Sequence, residues 1–192
     1  MAVTSTMLPL GTRAPGFALP DTVSGKTVSL DDFADKKAVL VMFICNHCPY
    51  VKHVRPELAR LGADYDGSDL GIVAISPNDV DTYPDDSPEA MKAEAEAQGY
   101  RFPYLYDENQ TVAAAYTAMC TPDFFLFGPG RTLVYRGRLD ESRPDSGIPL
   151  TGSDLRAAIH AVLDGRPVPE EQWPSMGCSI KWKSGNVPVY FN

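Results

Sequence analysis

Hydrophobic positions recur along the chain in three forms: unbroken apolar runs, helical spacing and short alternations. Ala38-Val39-Leu40-Val41-Met42-Phe43-Ile44 and Leu70-Gly71-Ile72-Val73-Ala74-Ile75-Ser76 are unbroken, as strands buried on both faces are. Between them, Val51, Val54, Leu58 and Leu61 recur at helical spacing across Tyr50 to Leu61. Strand, helix and strand in this order imply a right-handed crossover and parallel pairing. Pro77 to Asp86 is an acidic loop. Ser87-Pro88-Glu89 then supplies a cap and first turn for a helix over Glu89–Gln98, stopped by Gly99, with Glu94 and Glu96 expected on its solvated face. Phe102 to Tyr106 reads as a short strand and Gln110 to Ala118 as a helix. Phe124 to Phe127, the turn Gly128-Pro129-Gly130 and Thr132 to Arg136 read as a hairpin. Leu155, Ala158, Ile159 and Val162 define a last helix, opened by Gly152-Ser153-Asp154 and ended at Asp164-Gly165.

The ends are less regular. Residues 1–13 read as a loose lead-in, Ala14 to Asp21 as a proline-bracketed extended segment, and Thr27 to Leu30 as an edge strand before a helical turn at Asp31 to Ala34. The tail, 166–192, shows little periodicity, and Trp173 and Trp182 are expected to pin it to the core. No repeat or second domain is visible, and 192 residues suit one domain with a full core.

Charge narrows the partners. A formal net charge of -8 opposes binding to nucleic acid or an anionic membrane. No run approaches the ~18 apolar residues of a membrane span. The first residues lack the basic region and apolar core of a secretory signal. Four cysteines, two of them in a CxxC, suit a reducing compartment, so a cytoplasmic location is expected.

The chemistry concentrates in Cys45-Asn46-His47-Cys48-Pro49, at the junction of the first buried strand and its helix. A helix N-terminus offers unpaired N–H groups and partial positive charge, both of which favour a thiolate. Two intervening residues bring the sulfurs within bonding reach. Cys45 is expected to be the exposed thiolate, Cys48 its more buried partner, and Asn46-His47 the tuning dipeptide, with the imidazole beside the Cys45 sulfur. A CxxC is also half of a zinc site, but no second ligand pair follows.

This order of elements resembles the thioredoxin fold: α/β, a central mixed sheet between helices in three layers, with an N-terminal extended or hairpin segment. Ala14 to Asp21, with Gly25-Lys26 and Leu30, is similar to the start of the alkyl hydroperoxide reductase and thiol-specific antioxidant group. CNHCPYVKH, SPND at 76–79, CTPDFFLF at 120–127 and GCSIKW at 177–182 together resemble peroxiredoxin-like proteins carrying a thioredoxin-type CxxC. The resemblance covers residues 12–165 as the domain, with 166–192 packed on it. It implies that Cys45 attacks and Cys48 resolves, that Pro122 is a cis-proline facing the CxxC, and that Thr121 presents its backbone to substrate. It also brings Cys120 near the site as an accessory thiol. The peroxiredoxin motif would put proline at Val41, threonine at Cys45 and the peroxide-reactive cysteine at Cys48. Only the cysteine is matched, and no arginine stands near Thr121-Pro122.

The expected function is thiol–disulfide exchange with protein or small-molecule disulfides and dithiols, without a bound cofactor or metal and with a cellular thiol as electron donor. A homodimer is one assembly open to it. The alternatives are a peroxidase using Cys48, and a carrier of a soft ion such as Cu(I) using Cys45, Cys48 and a histidine. Cys178 reads as structural and His53 and His160 as surface residues, while Lys52 and Arg55 read equally as added positive potential beside the CxxC or as a solvated face.

Overall fold

The two unbroken apolar runs lie side by side at the centre of the molecule. The structure, a computed structural model, describes residues 2–191. In chain order its elements are β1 (Ala2–Thr4), β2 (Ala18–Pro20), β3 (Thr27–Ser29), β4 (Ala38–Phe43), α1 (Pro49–Asp64), β5 (Leu70–Ser76), α2 (Pro88–Gln98), β6 (Tyr104–Tyr106), α3 (Thr111–Ala115), β7 (Cys120–Thr121), β8 (Asp123–Phe127), β9 (Leu133–Gly137), α4 (Ser153–Leu163) and β10 (Met176–Ser179). The main sheet has the order β6-β5-β4-β8-β9. β4, β5 and β6 are parallel, while β8 and β9 run antiparallel as a hairpin, so the sheet is mixed.

β4 shows no polar alternation because both its faces are covered. Ala38, Leu40 and Met42 pack with Leu58 and Leu61 of α1, Met91 of α2 and Ile159 of α4. Val39, Val41 and Phe43 pack on the other side with Val112, Ala113 and Tyr116 and with Phe17 of the N-terminal segment. This is the three-layer thioredoxin-like arrangement. Full burial of each such leucine or phenylalanine contributes about 2 kcal/mol. α2 is capped by Ser87, whose hydroxyl accepts from Ala90 N–H, and ends at Gly99 in the left-handed region (φ 67°), which only glycine adopts without cost.

Four local expectations change. The helix expected over 110–118 is Thr111–Ala115, because Thr117 takes a positive φ of 50° that turns the chain into β7. Glu94 is not simply solvated: it pairs with Arg55 of α1. The lead-in and the tail are partly strands, since β10 pairs antiparallel with both β1 and β7. Gly177 makes this approach possible, as a Cβ there would fall 2.1 Å from Thr121 O. Trp173 does not pin the tail: it is 53% exposed, beneath the Arg138 guanidinium, while Trp182 packs edge-on against Phe191. Among the described residues no helix is long and apolar enough to cross a membrane.

Candidate active site

α1 begins at Pro49, which places Cys48 at its N-cap and Cys45 three residues ahead of that cap. Proline at the first helical position needs no N–H and arrives with its φ already set, so the sequence itself fixes this boundary. Both cysteines are buried, Cys45 at 1% and Cys48 at 0% exposure, so the expected exposed Cys45 is not found. The peptide bond between Thr121 and Pro122 is cis, as the resemblance implied. Thr121 touches both sulfurs: its hydroxyl lies 3.1 Å from Cys45 Sγ and its carbonyl 3.2 Å from Cys48 Sγ.

The two thiols are tightly coupled and are displaced in opposite directions. Cys48 is lowered to about 5, first because its sulfur accepts the Cys45 S–H, and further by hydrogen bonds from Cys178 and from Val51 in the first turn of α1, against the opposing effect of burial. Cys45 is raised well above the ordinary thiol value by donating that proton, by burial and by the nearby Asp86 carboxylate. A protonated Cys48 would instead donate to Thr121 O. The helix N-terminus at Cys48 favours its thiolate form. His47, expected to favour a Cys45 thiolate, is hydrogen-bonded to Asp86. The charge that bears most on Cys45 is the Asp86 carboxylate, and it acts in the opposite direction.

Asp86, fully buried, organises the dipeptide. It accepts from Asn46 N (2.7 Å), His47 N (3.1 Å), His47 Nδ1 (2.6 Å) and Asn78 Nδ2 (2.8 Å). Because a carboxylate only accepts, Nδ1 of His47 carries the proton. The His47 ring also stacks on Tyr83 at 5.0 Å, and the Lys181 ammonium lies 5.5 Å from the Tyr83 ring centroid. Asn46 accepts from Tyr104 Oη and donates to Asp85 O, while Arg55 holds its carbonyl at 2.6 Å. Asn46 and His47 are thus locked in place by their partners. Asp86 was invisible in the sequence, one acidic residue among several in a loop.

The sulfur of Cys45, a nitrogen of His47 and an oxygen of Asp86 lie within 4.8 Å of one another, a set with the donor chemistry of a metal site. Within the set His47 is hydrogen-bonded to Asp86, while Cys45 contacts the Thr121 hydroxyl. Cys120 is buried beside the pair, its thiol held above the ordinary value by burial, and its Sγ points to Pro122 O. Cys178, in β10, is half-buried and packs against the cluster that holds Cys45 and Cys48. His53 is hydrogen-bonded to Ser142 Oγ (2.9 Å), while His160 is exposed near Tyr65. A cleft opens beside the cis-proline, lined by Tyr50, His53, Pro122, Phe124, Trp173 and Met176.

A buried dithiol at a strand–helix junction beside a cis-proline, on this sheet order, defines a thioredoxin-fold protein of thiol chemistry. The chain belongs to the AhpC/TSA family, whose model matches residues 10–136. It is 58% identical to an uncharacterized conserved protein from Geobacillus kaustophilus, with a TM-score of 0.93 over 95% of this chain and 97% of that one. It is 30% identical over 114 residues to a Mycobacterium tuberculosis protein named "Putative peroxiredoxin", spanning 59% of this chain and 67% of that one. The thioredoxin domain of a thiol-disulfide oxidoreductase from Bacteroides vulgatus shares the fold at 24% identity, with a TM-score of 0.57 over 71% of this chain and 90% of that one.

Proposed function

We propose that the protein is a thiol–disulfide oxidoreductase whose redox couple is Cys45–Cys48, with Cys48 attacking and Cys45 resolving. The observation that carries this reading is the position of Cys48 at the N-cap of α1, where the helix N-terminus favours a thiolate, with its sulfur 3.2 Å from the carbonyl before the cis-proline. The Cys48 thiolate attacks a substrate disulfide, and one substrate sulfur leaves as a thiolate. Cys45 then loses its proton, for which His47 and Asp86 are the nearby titratable groups, and attacks the Cys48 sulfur. The second substrate sulfur leaves, and two electrons have passed from the dithiol to the substrate. The reverse sequence oxidises a dithiol, and a cellular thiol returns the electrons. Thr121 and Pro122 form the wall against which substrate would lie.

The test is reaction of the fully reduced protein with oxidised glutathione, followed by acid quench and disulfide mapping. A Cys45–Cys48 disulfide is expected in the wild type, and Cys48→Ser should react at least a hundredfold more slowly. A Cys48→Ser protein that keeps the wild-type rate overturns the assignment.

The family and the lowered Cys48 favour one second reading, a thiol-dependent peroxidase. Peroxide would take the Cys48 thiolate to a sulfenic acid, which Cys45 condenses with, releasing water. Stopped-flow reaction with hydrogen peroxide decides: a rate orders of magnitude above that of a free thiolate, with sulfenic acid at Cys48, supports it.

A further inference from the structure

Cys178 is the one half-buried thiol in a cluster whose other members, Cys45, Cys48 and Cys120, are buried. It stands in β10 directly across from Thr121, the residue that contacts both active-site sulfurs. Gly177 lets β10 close on Thr121 there, where any Cβ would collide with its carbonyl. Alternation along the strand puts Cys178 on the same face as Met176. On that face Cys178 packs against the cluster that contains Cys45, Cys48, Val54 and Phe124, and Met176 lines the cleft beside Pro122.

We propose that Cys178 is a third redox thiol, which takes over the disulfide from the buried pair and exchanges it with thiols that enter the cleft. This rests on the reading of Cys45–Cys48 as the redox couple. In the oxidised protein the Cys178 thiolate attacks the Cys48 sulfur. The Cys45–Cys48 bond breaks, the Cys48–Cys178 bond forms, and Cys45 leaves and takes up the proton that Cys178 gave. No electrons enter or leave in this step. An external thiolate then attacks Cys178, and Cys48 leaves as a thiolate. A second external thiol releases Cys178 and departs as the mixed external disulfide, so the two external thiols have supplied two electrons to the pair.

The environment suits both steps. While the pair is reduced, burial, the hydrogen bond to Cys48 and the charge on Cys48 push the Cys178 thiol up to about 11, against the opposing pull of Lys181. Two of those three causes vanish when Cys48 enters a disulfide, so Cys178 becomes a better nucleophile in the state that needs one. Proximity compensates for a small thiolate fraction. In the second step the departing sulfur is Cys48, the site's most stabilised thiolate, and such groups leave fastest.

The test uses Cys45→Ser and Cys178→Ser; the second keeps a hydroxyl donor to Cys48 but cannot form a disulfide. Reduced Cys45→Ser treated with oxidised glutathione should map as a Cys48–Cys178 disulfide. Oxidised Cys178→Ser, carrying its Cys45–Cys48 bond, should be reduced by glutathione at least tenfold more slowly than the wild type. A Cys45→Ser protein in which Cys48 stays glutathionylated or pairs with Cys120 overturns the proposal and leaves the Cys45–Cys48 couple standing. A wild-type rate for Cys178→Ser overturns it too. Wild-type protein that forms no Cys45–Cys48 disulfide overturns the couple itself, and the proposal with it.

Discussion

Nδ1 of His47 lies 2.6 Å from Oδ2 of Asp86, and Oδ1 of the same carboxylate takes the backbone N–H groups of Asn46 and His47. The dipeptide between the two cysteines is therefore held by a residue from the turn before α2. Asn78 and Tyr83, which meet Asp86 and His47, are themselves tied to Lys181 beyond β10, through Lys181 N to Asn78 Oδ1 and the ammonium over Tyr83. Two distant stretches of sequence thus converge on one short loop. The sulfurs are positioned by this network as much as by the helix.

Asp86→Ala should cost about 3–5 kcal/mol, because it leaves four donors without their acceptor. Burial raises the Asp86 carboxyl, but hydrogen bonds from His47, Asn78 and Asn46 outweigh it and hold the group below the usual range. A depressed carboxyl contributes stability above its unfolded value, and that stability is lost as pH falls through the folded one. Urea unfolding of wild type and Asp86→Asn between pH 6 and pH 2 should therefore converge toward the acid end. A gap between the two curves that stays constant would show that the charge on Asp86 contributes nothing.

The Cys48 thiolate should be visible as a rise in absorbance at 240 nm with a midpoint at about 5. Cys48→Ser should abolish this transition. Cys45→Ala, which removes the largest stabilising donor, should move it upward. If Cys45→Ala instead removed the transition and Cys48→Ser preserved it, Cys45 would be the thiolate and the order of attack would reverse.

Gly177→Ala should be poorly tolerated. The new methyl would lie 2.1 Å from Thr121 O, a backbone atom that cannot swing aside, so β10 must move away from β7. Overpacking of this kind costs about 1–3 kcal/mol or more. Moving β10 also withdraws Cys178 from Cys48, so the 240 nm transition should shift up together with a lower melting temperature. A variant that melts like the wild type and titrates like it would show that the strand has slack.

What the sequence made legible was whatever is encoded locally. The runs of β4 and β5, the spacing of Val51, Val54, Leu58 and Leu61, and the Ser87-Pro88 cap each carry their own signal, and the structure has those elements nearly where the pattern places them. β1 and β10 have three and four residues and find partners at the opposite end of the chain, so no local periodicity announces them. The cis bond at Thr121-Pro122 was expected only through family resemblance. The helix boundary at the two cysteines was legible, since proline at the first helical position marks Cys48 as the N-cap. Asp86 could not be separated from Asp79, Asp81 and Asp85, because its burial depends on His47 and Asn78 closing over it.

Asp123 supplies the last expectation. It follows the cis-proline, is 1% exposed, and neither of its oxygens closes a hydrogen bond among the described residues. Burial raises its carboxyl to about 7, only partly offset by the nearby Ser175 hydroxyl and the backbone N–H groups of Phe124 and Met119. The folded state therefore holds a proton that the unfolded chain gives up near pH 4. Stability is full below that value and falls as pH rises to about 7, where the folded group also ionises. The loss is of order 4 kcal/mol, since each pH unit is worth about 1.4 kcal/mol. Asp123→Asn, neutral throughout, should match the wild type near pH 4 and exceed it at pH 8, with the slope between 4 and 7 removed. Chemical denaturation at four or five pH values would show this. A wild-type curve that rises across the same interval would mean that the Asp123 carboxylate is well solvated or paired in the folded protein.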